Sequence, residues 1–135
     1  MATSDNVVRA GLTPKLRDVE TLISMLDYDS SEPKELLLHT QKYGNGDSTT
    51  LYRSPVPEFS MLQTNLKPNQ TENFEGINGP SILIITQGKG QIQCGNNSLD
   101  LQKGFVFYIP SNTKIDLTSG EEGLLCYRSF CDRFN

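Results

Sequence analysis

The chain has few of the residues that most often build a metal site or a catalytic centre. It contains one histidine, His39, and three cysteines, Cys94, Cys126 and Cys131, which do not form a CxxC pair. A zinc site takes three or four ligands, usually from His, Cys, Asp and Glu side chains. Within a strand-like segment, Cys126 and Cys131 would point to opposite faces. We therefore predict that His39 lies at the surface or at the edge of the core, and that the chain holds no metal.

Other functional signatures are also missing. No GxSxG motif occurs, and the single histidine has no serine or cysteine at a spacing that suggests nucleophilic catalysis. The segment QGKGQI carries two glycines, but no helix follows it, as a phosphate-binding or dinucleotide-binding loop would require. We predict a tight hairpin there instead, because its glycines flank a single lysine.

Charge and hydrophobicity limit the partners and the location. The net charge is −4, with 12 basic against 16 acidic residues, so nucleic acids and anionic membranes are poor partners. No apolar run approaches the roughly 18 residues of a membrane span. The start of the chain lacks a basic region followed by an apolar stretch, so we expect no signal peptide. The odd number of cysteines suggests a reducing compartment, which we take to be the cytoplasm.

From about residue 35 onward, short apolar segments alternate with turns. The candidate strands are ELLLH (35–39), TTLYR (49–53), EFSMLQTNL (58–66), SILIITQ (81–87), KGQIQC (89–94), SLDLQ (98–102), GFVFYIP (104–110), KIDLTS (114–119) and LLCYRSF (124–130). Strands this short, spaced roughly 8–12 residues apart and punctuated by Gly or Pro, indicate a sandwich or a barrel. The order of the later segments resembles the second half of a cupin jelly roll. We predict an all-β, cupin-type jelly roll, an antiparallel sandwich or barrel.

A single short helix is predicted before the strands, over residues 18–28, with Asp18 as its N-cap. Its apolar residues fall at positions i, i+3, i+4 and i+7 and form one stripe. They are Val19, Leu22, Ile23 and Leu26. Residues 27–34, DYDSSEPK, combine charge, serine and proline, which is typical of a linker.

The segment SDNVVRAGLTPK, residues 4–15, is the best candidate for a binding site. The Arg9 guanidinium stays protonated and offers five donors, so it cannot act as a general base. It can bind a phosphate or a carboxylate, or stabilise an oxyanion as charge develops. Lys15 lies beyond the bend at residues 11–14 and could converge on the same anion, and Asp5 could orient Arg9. The residue pattern alone also allows a solvated turn with an incidental Asp–Arg pair.

The longer segment SDNVVRAGLTPKLRDVETLISML resembles a signature of the type I mannose-6-phosphate isomerases, also called phosphomannose isomerases. The segments SPVPEF (54–59), GPSILIITQGKGQI, LQKGFVFYIP and LLCYRSF resemble the C-terminal cupin domain of that family in order and spacing. Members interconvert mannose 6-phosphate and fructose 6-phosphate with one zinc ion, by proton transfer between C1 and C2 through an enediolate. The resemblance implies that Arg9 is a catalytic residue and that Lys15 and Asp5 lie near the substrate.

The resemblance covers only the C-terminal part of such an enzyme. The family's zinc ligands, a glutamine, two histidines and a glutamate, precede the signature, and so does the cupin domain that holds them. We therefore assign zinc to full-length members and expect none in this chain. Residues 1–30 are interpreted as a remnant of the catalytic domain, and residues 31–135 as the C-terminal cupin-like domain. We expect the isolated chain to be inactive.

The resemblance implies a sugar phosphate as the substrate of full-length members and the missing N-terminal catalytic portion as a partner of this chain. Two alternatives stay open. The chain could be a non-catalytic interaction or regulatory module, because the apolar stripe of its helix invites association. It could also be a cupin that binds a small molecule inside its barrel, although Ile84, Phe107 and Ile109 are expected to fill that interior.

Overall fold

The computed structural model describes residues 7–28, 30–44 and 46–131. The chain separates into two compact units, of which the first ends at Leu36 and the second begins at Leu37. The predicted division at residue 30 stays a prediction. No helix among the described residues is long and apolar enough to cross a membrane.

Within the described part of the first unit, one short helix forms, α1, Val19–Ser24. The Asp18 carboxylate caps it, accepting the N–H of Thr21 at 3.0 Å and the hydroxyl of Thr21 at 2.7 Å. These hydrogen bonds lower the pKa of Asp18. The predicted helix and its N-cap are therefore confirmed, but the helix ends at Ser24 and not at residue 28. Because only one and a half turns form, much of the predicted apolar stripe stays exposed.

The described residues of the second unit form eight strands, all paired antiparallel. They are β1 (Thr40–Lys42), β2 (Thr49–Arg53), β3 (Ser60–Leu66), β4 (Thr71–Phe74), β5 (Ser81–Cys94), β6 (Asn97–Gln102), β7 (Val106–Ile109) and β8 (Ile115–Phe130). This confirms the predicted all-β class with one short helix.

The long strands β5 and β8 run through both layers of the fold. In layer one, residues 124–130 of β8 pair with β3 and with the first half of β5, which gives the order β1-β2-β3-β8-β5-β7. In layer two, residues 115–119 of β8 pair with β4 and with the second half of β5, which gives the order β4-β8-β5-β6. The two layers form the jelly roll, and their inner faces enclose the core.

The core consists of aliphatic and aromatic side chains from both layers. The main cluster contains Leu66, Phe74, Leu83, Ile85, Ile92, Leu101, Ile109, Ile115, Leu117, Leu124 and Cys126. A smaller cluster holds Leu51, Leu62, Ile77 and Phe130, and Tyr43 packs against both. Each fully buried leucine or isoleucine contributes about 1.5–3 kcal/mol, so the sandwich is stabilised mainly by this interior.

The predicted hairpin at QGKGQI is wrong. β5 continues through this segment, with register irregularities between Ile85 and Gln87 and between Gly88 and Gly90. Gly88 has φ +77°, and a Cβ atom there would lie 2.0 Å from the carbonyl oxygen of Gly123. The glycines therefore permit a close approach of two backbones where β5 passes from one layer to the other. The hairpin that follows β5 has Gly95 and Asn96 as its loop.

Further strand predictions differ from the structure. KIDLTS and LLCYRSF, predicted as two strands, lie in the single continuous strand β8, and β1 lies outside the predicted strands. ELLLH forms no strand: Glu35 donates its N–H to the carbonyl of Glu32 in a turn, and residues 36–38 are exposed leucines. Three consecutive leucines have no alternation that could place one face on the core. β4 also lies outside the predicted strands, because its inward-facing residues are Glu72 and Phe74 and only one of them is apolar.

Candidate functional site

The segment that carries the predicted site residues folds back onto the start of α1. Asp18 donates its N–H to the carbonyl oxygen of Arg9 at 2.8 Å. Within this loop, Lys15 donates its N–H to the hydroxyl oxygen of Thr13 at 3.2 Å, which is the geometry of a Ser/Thr turn. The backbone from Arg9 to Asp18 therefore forms a closed loop, and both predicted cationic residues lie in it.

The two cations of this loop differ in exposure. Arg9 is half-buried, whereas Lys15 is exposed. Leu12 and Leu16, which flank the bend, are also exposed. Asp5 lies outside the described residues, so its pairing with Arg9 stays a prediction. The convergence of Arg9 and Lys15 on one anion stays a prediction as well.

The described residues do not fit the zinc ion of the family. Among residues 7–28, 30–44 and 46–131, no three His, Cys, Asp or Glu side chains lie close enough to share a metal. His39, which precedes β1, is exposed. Because a zinc site needs at least three such ligands, no step of a reaction is assigned to a metal on this chain.

The interior of the jelly roll contains an ionic cluster that sequence reasoning missed. Arg128 is 3% exposed and Glu72 is 6% exposed. Arg128 Nε donates to Ser81 Oγ at 2.9 Å, whereas both Nη nitrogens and Glu72 Oε2 have no hydrogen-bond partner among the described residues. Burial lowers the pKa of Arg128 and raises the pKa of the neighbouring Cys126 to about 12. The alternation of residues 124, 126, 128 and 130 could have placed Arg128 inside.

The part of the interior beside Arg128 has no room for a ligand. The void beside Arg128 does not hold even a water molecule. Ile109 is buried and Phe107 packs against the core, as expected, but Ile84 is 40% exposed on the opposite side of the strand. The prediction that Ile84 lies inside is wrong, because Leu83 and Ile85 occupy the inward positions of β5. An open, mainly apolar cavity of about 130 Å³ lies at the edge of this core, lined by the core residues Ile92, Ile109 and Ile115 together with Cys94, Leu99 and Phe107 among others.

Residues 50–97 match the family model of the C-terminal region of type I phosphomannose isomerase. The chain is homologous to the C-terminal portion of type I phosphomannose isomerases. It is 44% identical over 137 residues to the mannose-6-phosphate isomerase of Eremothecium gossypii, with 98% of this chain and 32% of that protein covered. It is 42% identical to the enzyme of Saccharomyces cerevisiae, with the same shares covered. The resemblance inferred from the signature is confirmed.

Solved structures agree with this relationship. A mutant of phosphomannose isomerase from Salmonella typhimurium superposes with a TM-score of 0.74 at 26% identity, covering 97% of this chain and 32% of that chain. The cupin domain of Cnp3 from Schizosaccharomyces pombe superposes with a TM-score of 0.55 at 15% identity, covering 66% of this chain and 64% of that domain, and so supports the fold alone. The chain therefore spans about a third of the length of the phosphomannose isomerases that it matches.

Proposed function

We propose that this chain is the C-terminal part of a mannose-6-phosphate isomerase, which interconverts mannose 6-phosphate and fructose 6-phosphate, and that it has no isomerase activity alone. The observation that carries the proposal is the 44% identity to one such enzyme over 98% of this chain but only 32% of that protein. The structure adds support, because the described residues offer no ligand set for a metal. Residues 1–30 would then belong to the catalytic portion and residues 31–135 to the C-terminal cupin domain.

In the whole enzyme, Arg9 would act as a fixed cation beside the C1 and C2 oxygens of the sugar phosphate. A guanidinium cannot accept the migrating proton, so its role is to donate hydrogen bonds to the enediolate as negative charge develops. The hydrogen bond from Asp18 to the Arg9 carbonyl fixes the backbone from which this side chain projects. Lys15 and Asp5 would lie near the substrate, and the proton would be moved by a group outside this chain.

The proposed setting is the cytoplasm, without nucleic acid or membrane as partner. The acidic net charge and the odd cysteine count support this assignment.

The test has two arms. The purified chain is assayed with mannose 6-phosphate and added zinc, with the full-length S. cerevisiae enzyme as the positive control, and we expect no turnover. In the second arm this chain replaces the matched portion of the S. cerevisiae enzyme, and we expect the chimera to be active. Arg9→Ala in the chimera should lower kcat about 10²–10³-fold, whereas Arg17→Ala, an exposed arginine of the same segment, should not.

Two results would contradict this proposal. Zinc-dependent turnover by the isolated chain would show a metal site that its described residues do not form. Full activity of the Arg9→Ala chimera would remove Arg9 from the reaction.

A further inference from the structure

Five strands of layer one, β2, β3, β8, β5 and β7, carry two outward rows of side chains without a charge, and the edge strand β1 continues these rows with Thr40 and Lys42. Ten residues form these rows, two from each of β2, β3, β8, β5 and β7. The neighbouring strands β8, β5 and β7 contribute Ser129, Ile82 and Tyr108 to one row and Tyr127, Ile84 and Val106 to the other. We name this surface the outer face. Ile84 is 40% exposed and Tyr108 is 66% exposed, so the face is both apolar and open.

The corresponding surface of layer two has the opposite composition. Its neighbouring strands are joined by the polar pairs Asn73–Asp116 at 2.7 Å, Thr71–Thr118 at 2.9 Å and Gln91–Asp100 at 3.3 Å. Such pairs are what the solvated side of an antiparallel sheet carries. Both layers belong to one domain, so the overall composition of the chain does not explain the difference. Layer two suits contact with water, whereas the outer face suits contact with another surface.

Three of the polar side chains of the outer face are already paired with one another. Tyr52 donates its hydroxyl to Gln63 Oε1 at 3.1 Å, and Gln63 Nε2 donates to the hydroxyl oxygen of Tyr127 at 2.9 Å. A partner that covers these groups would therefore leave the hydrogen bonds of the Gln63 amide intact. Burial of this amide would then not carry the usual free-energy cost of an unpaired polar group. At one end of the face, Phe59, Ile82 and other residues line a cavity of about 250 Å³ that can receive a side chain of a partner.

We propose that the outer face docks the N-terminal portion of a phosphomannose isomerase chain, the portion that precedes the matched region in the relatives. This inference rests on the proposed function. The chain spans 32% of the E. gossypii protein, which leaves about two thirds of such a protein available to cover the face. The absence of charge fits the core of an interface, where charged residues are depleted and aromatic residues enriched.

The size of the outer face favours a domain of the same protein over a second copy of this chain. Five strands spaced about 4.8 Å apart span roughly 24 Å. The two rows lie about 7 Å apart and cover about 14 Å along the strands, so the face offers roughly 340 Å² per side, or about 700 Å² in total, within the range of contacts between domains of one chain. Stable complexes of separate chains usually bury about 1,200–2,000 Å².

Hydroxyl-radical footprinting of the isolated chain and of the S. cerevisiae chimera tests the docking directly. The oxidation rate of Tyr108 should fall at least about fivefold in the chimera, because the core of an interface excludes water. Leu99, an exposed residue of β6 in layer two, provides the control and should oxidise equally in both proteins. Equal oxidation of Tyr108 in the two proteins would overturn the proposal.

A pair of variants gives a second, independent measurement. Ile84→Lys should leave the melting temperature of the isolated chain nearly unchanged, because this side chain is already 40% exposed there. It should lower the melting temperature of the chimera, whereas Ser98→Lys, at an exposed position of β6 in layer two, should change neither protein. A dimeric isolated chain that Ile84→Lys converts to a monomer would instead assign the face to a second copy and overturn the proposal.

The outcomes also separate this proposal from the proposed function. An inactive chimera in which Tyr108 is protected from oxidation would support the proposed docking and contradict the proposed function. An active chimera in which Tyr108 is oxidised as fast as in the isolated chain would support the proposed function and contradict the proposed docking.

Discussion

Replacing Arg128 by methionine should stabilise the protein. The side chain is 3% exposed, and its only hydrogen bond among the described residues joins Nε to Ser81 Oγ at 2.9 Å. Both Nη nitrogens are buried without an acceptor in that part of the chain. Methionine keeps an unbranched apolar stem of similar length, so Arg128→Met removes the charge while largely filling the same space.

The expected gain follows from two opposing contributions. Taking a charged group out of water costs several kcal/mol, and one hydrogen bond to a charged group returns only about 1.5–3 kcal/mol. Replacing a whole buried ion pair by apolar residues of similar volume is often neutral or stabilises by about 1–4 kcal/mol, and Arg128→Met breaks no such pair, because both Nη nitrogens lack a hydrogen-bonded partner among the described residues. We therefore expect Arg128→Met to raise the free energy of unfolding by about 1–3 kcal/mol. At roughly 4–8 °C per kcal/mol for a domain near 100 residues, the melting temperature should rise by several degrees or more.

Urea unfolding followed by circular dichroism measures this change. Ser81→Ala should act in the opposite direction and lower the free energy of unfolding by about 1–3 kcal/mol. This variant removes the hydrogen-bond acceptor of Arg128 Nε and leaves a buried charged group unpaired. Lys89→Met, an exposed lysine of β5, should change it by less than about 0.5 kcal/mol. A lower unfolding midpoint for Arg128→Met would refute the reasoning, since it would show that the guanidinium contributes more than its burial costs.

Two further predictions concern glycine and cysteine. Gly88→Ala should destabilise the protein by more than about 2 kcal/mol, because φ is +77° and the new Cβ would lie 2.0 Å from the carbonyl oxygen of Gly123. Gly95→Ala, at φ +57° with open space around it, should cost only about 1–2 kcal/mol; equal urea midpoints for the two variants would contradict this account. Cys94 is exposed and should react with a thiol reagent at pH 8, whereas Cys126 should react only after unfolding. Burial raises the pKa of Cys126 from 9.0 to about 12. The stability that its neutral thiol confers should therefore be present below pH 9 and lost as the pH rises towards 12. Equal labelling of both thiols in the native protein would contradict the buried position of Cys126.

Strand alternation made most of the fold predictable. β2, β3, β6 and β7 lie within segments whose apolar residues alternate or form short runs between turns, and the spacing of those turns indicated a sandwich. Glycine was the least reliable indicator of where a strand ends in a turn. In a single sequence, a glycine that starts a hairpin and a glycine that permits backbone contact look alike. Only the position of Gly123 on β8 shows that Gly88 belongs to the second kind.

The functional residues differ in how far the sequence could reveal them. Arg9 and Lys15 stand in a recognisable motif, but their geometry towards a substrate depends on residues outside this chain. Arg128 faces the core because it alternates with Cys126, a pattern that the sequence contained. The sequence also contained an indication of the outer face, because SILIITQ is apolar at consecutive positions. Such a run indicates a strand covered on both sides, whereas alternation indicates a strand covered on one side.

The passage of β5 and β8 through both layers also determines how the domain opens. The pairing of β5 with β8 continues in both layers, so the hydrogen bonding of each layer depends on the same two strands. We therefore expect the slowest-exchanging amides of both layers to become accessible in one global opening, and not layer by layer. Folding should be slow for the same reason, since β3 and the end of β8 are distant in sequence yet must pair before layer one is complete.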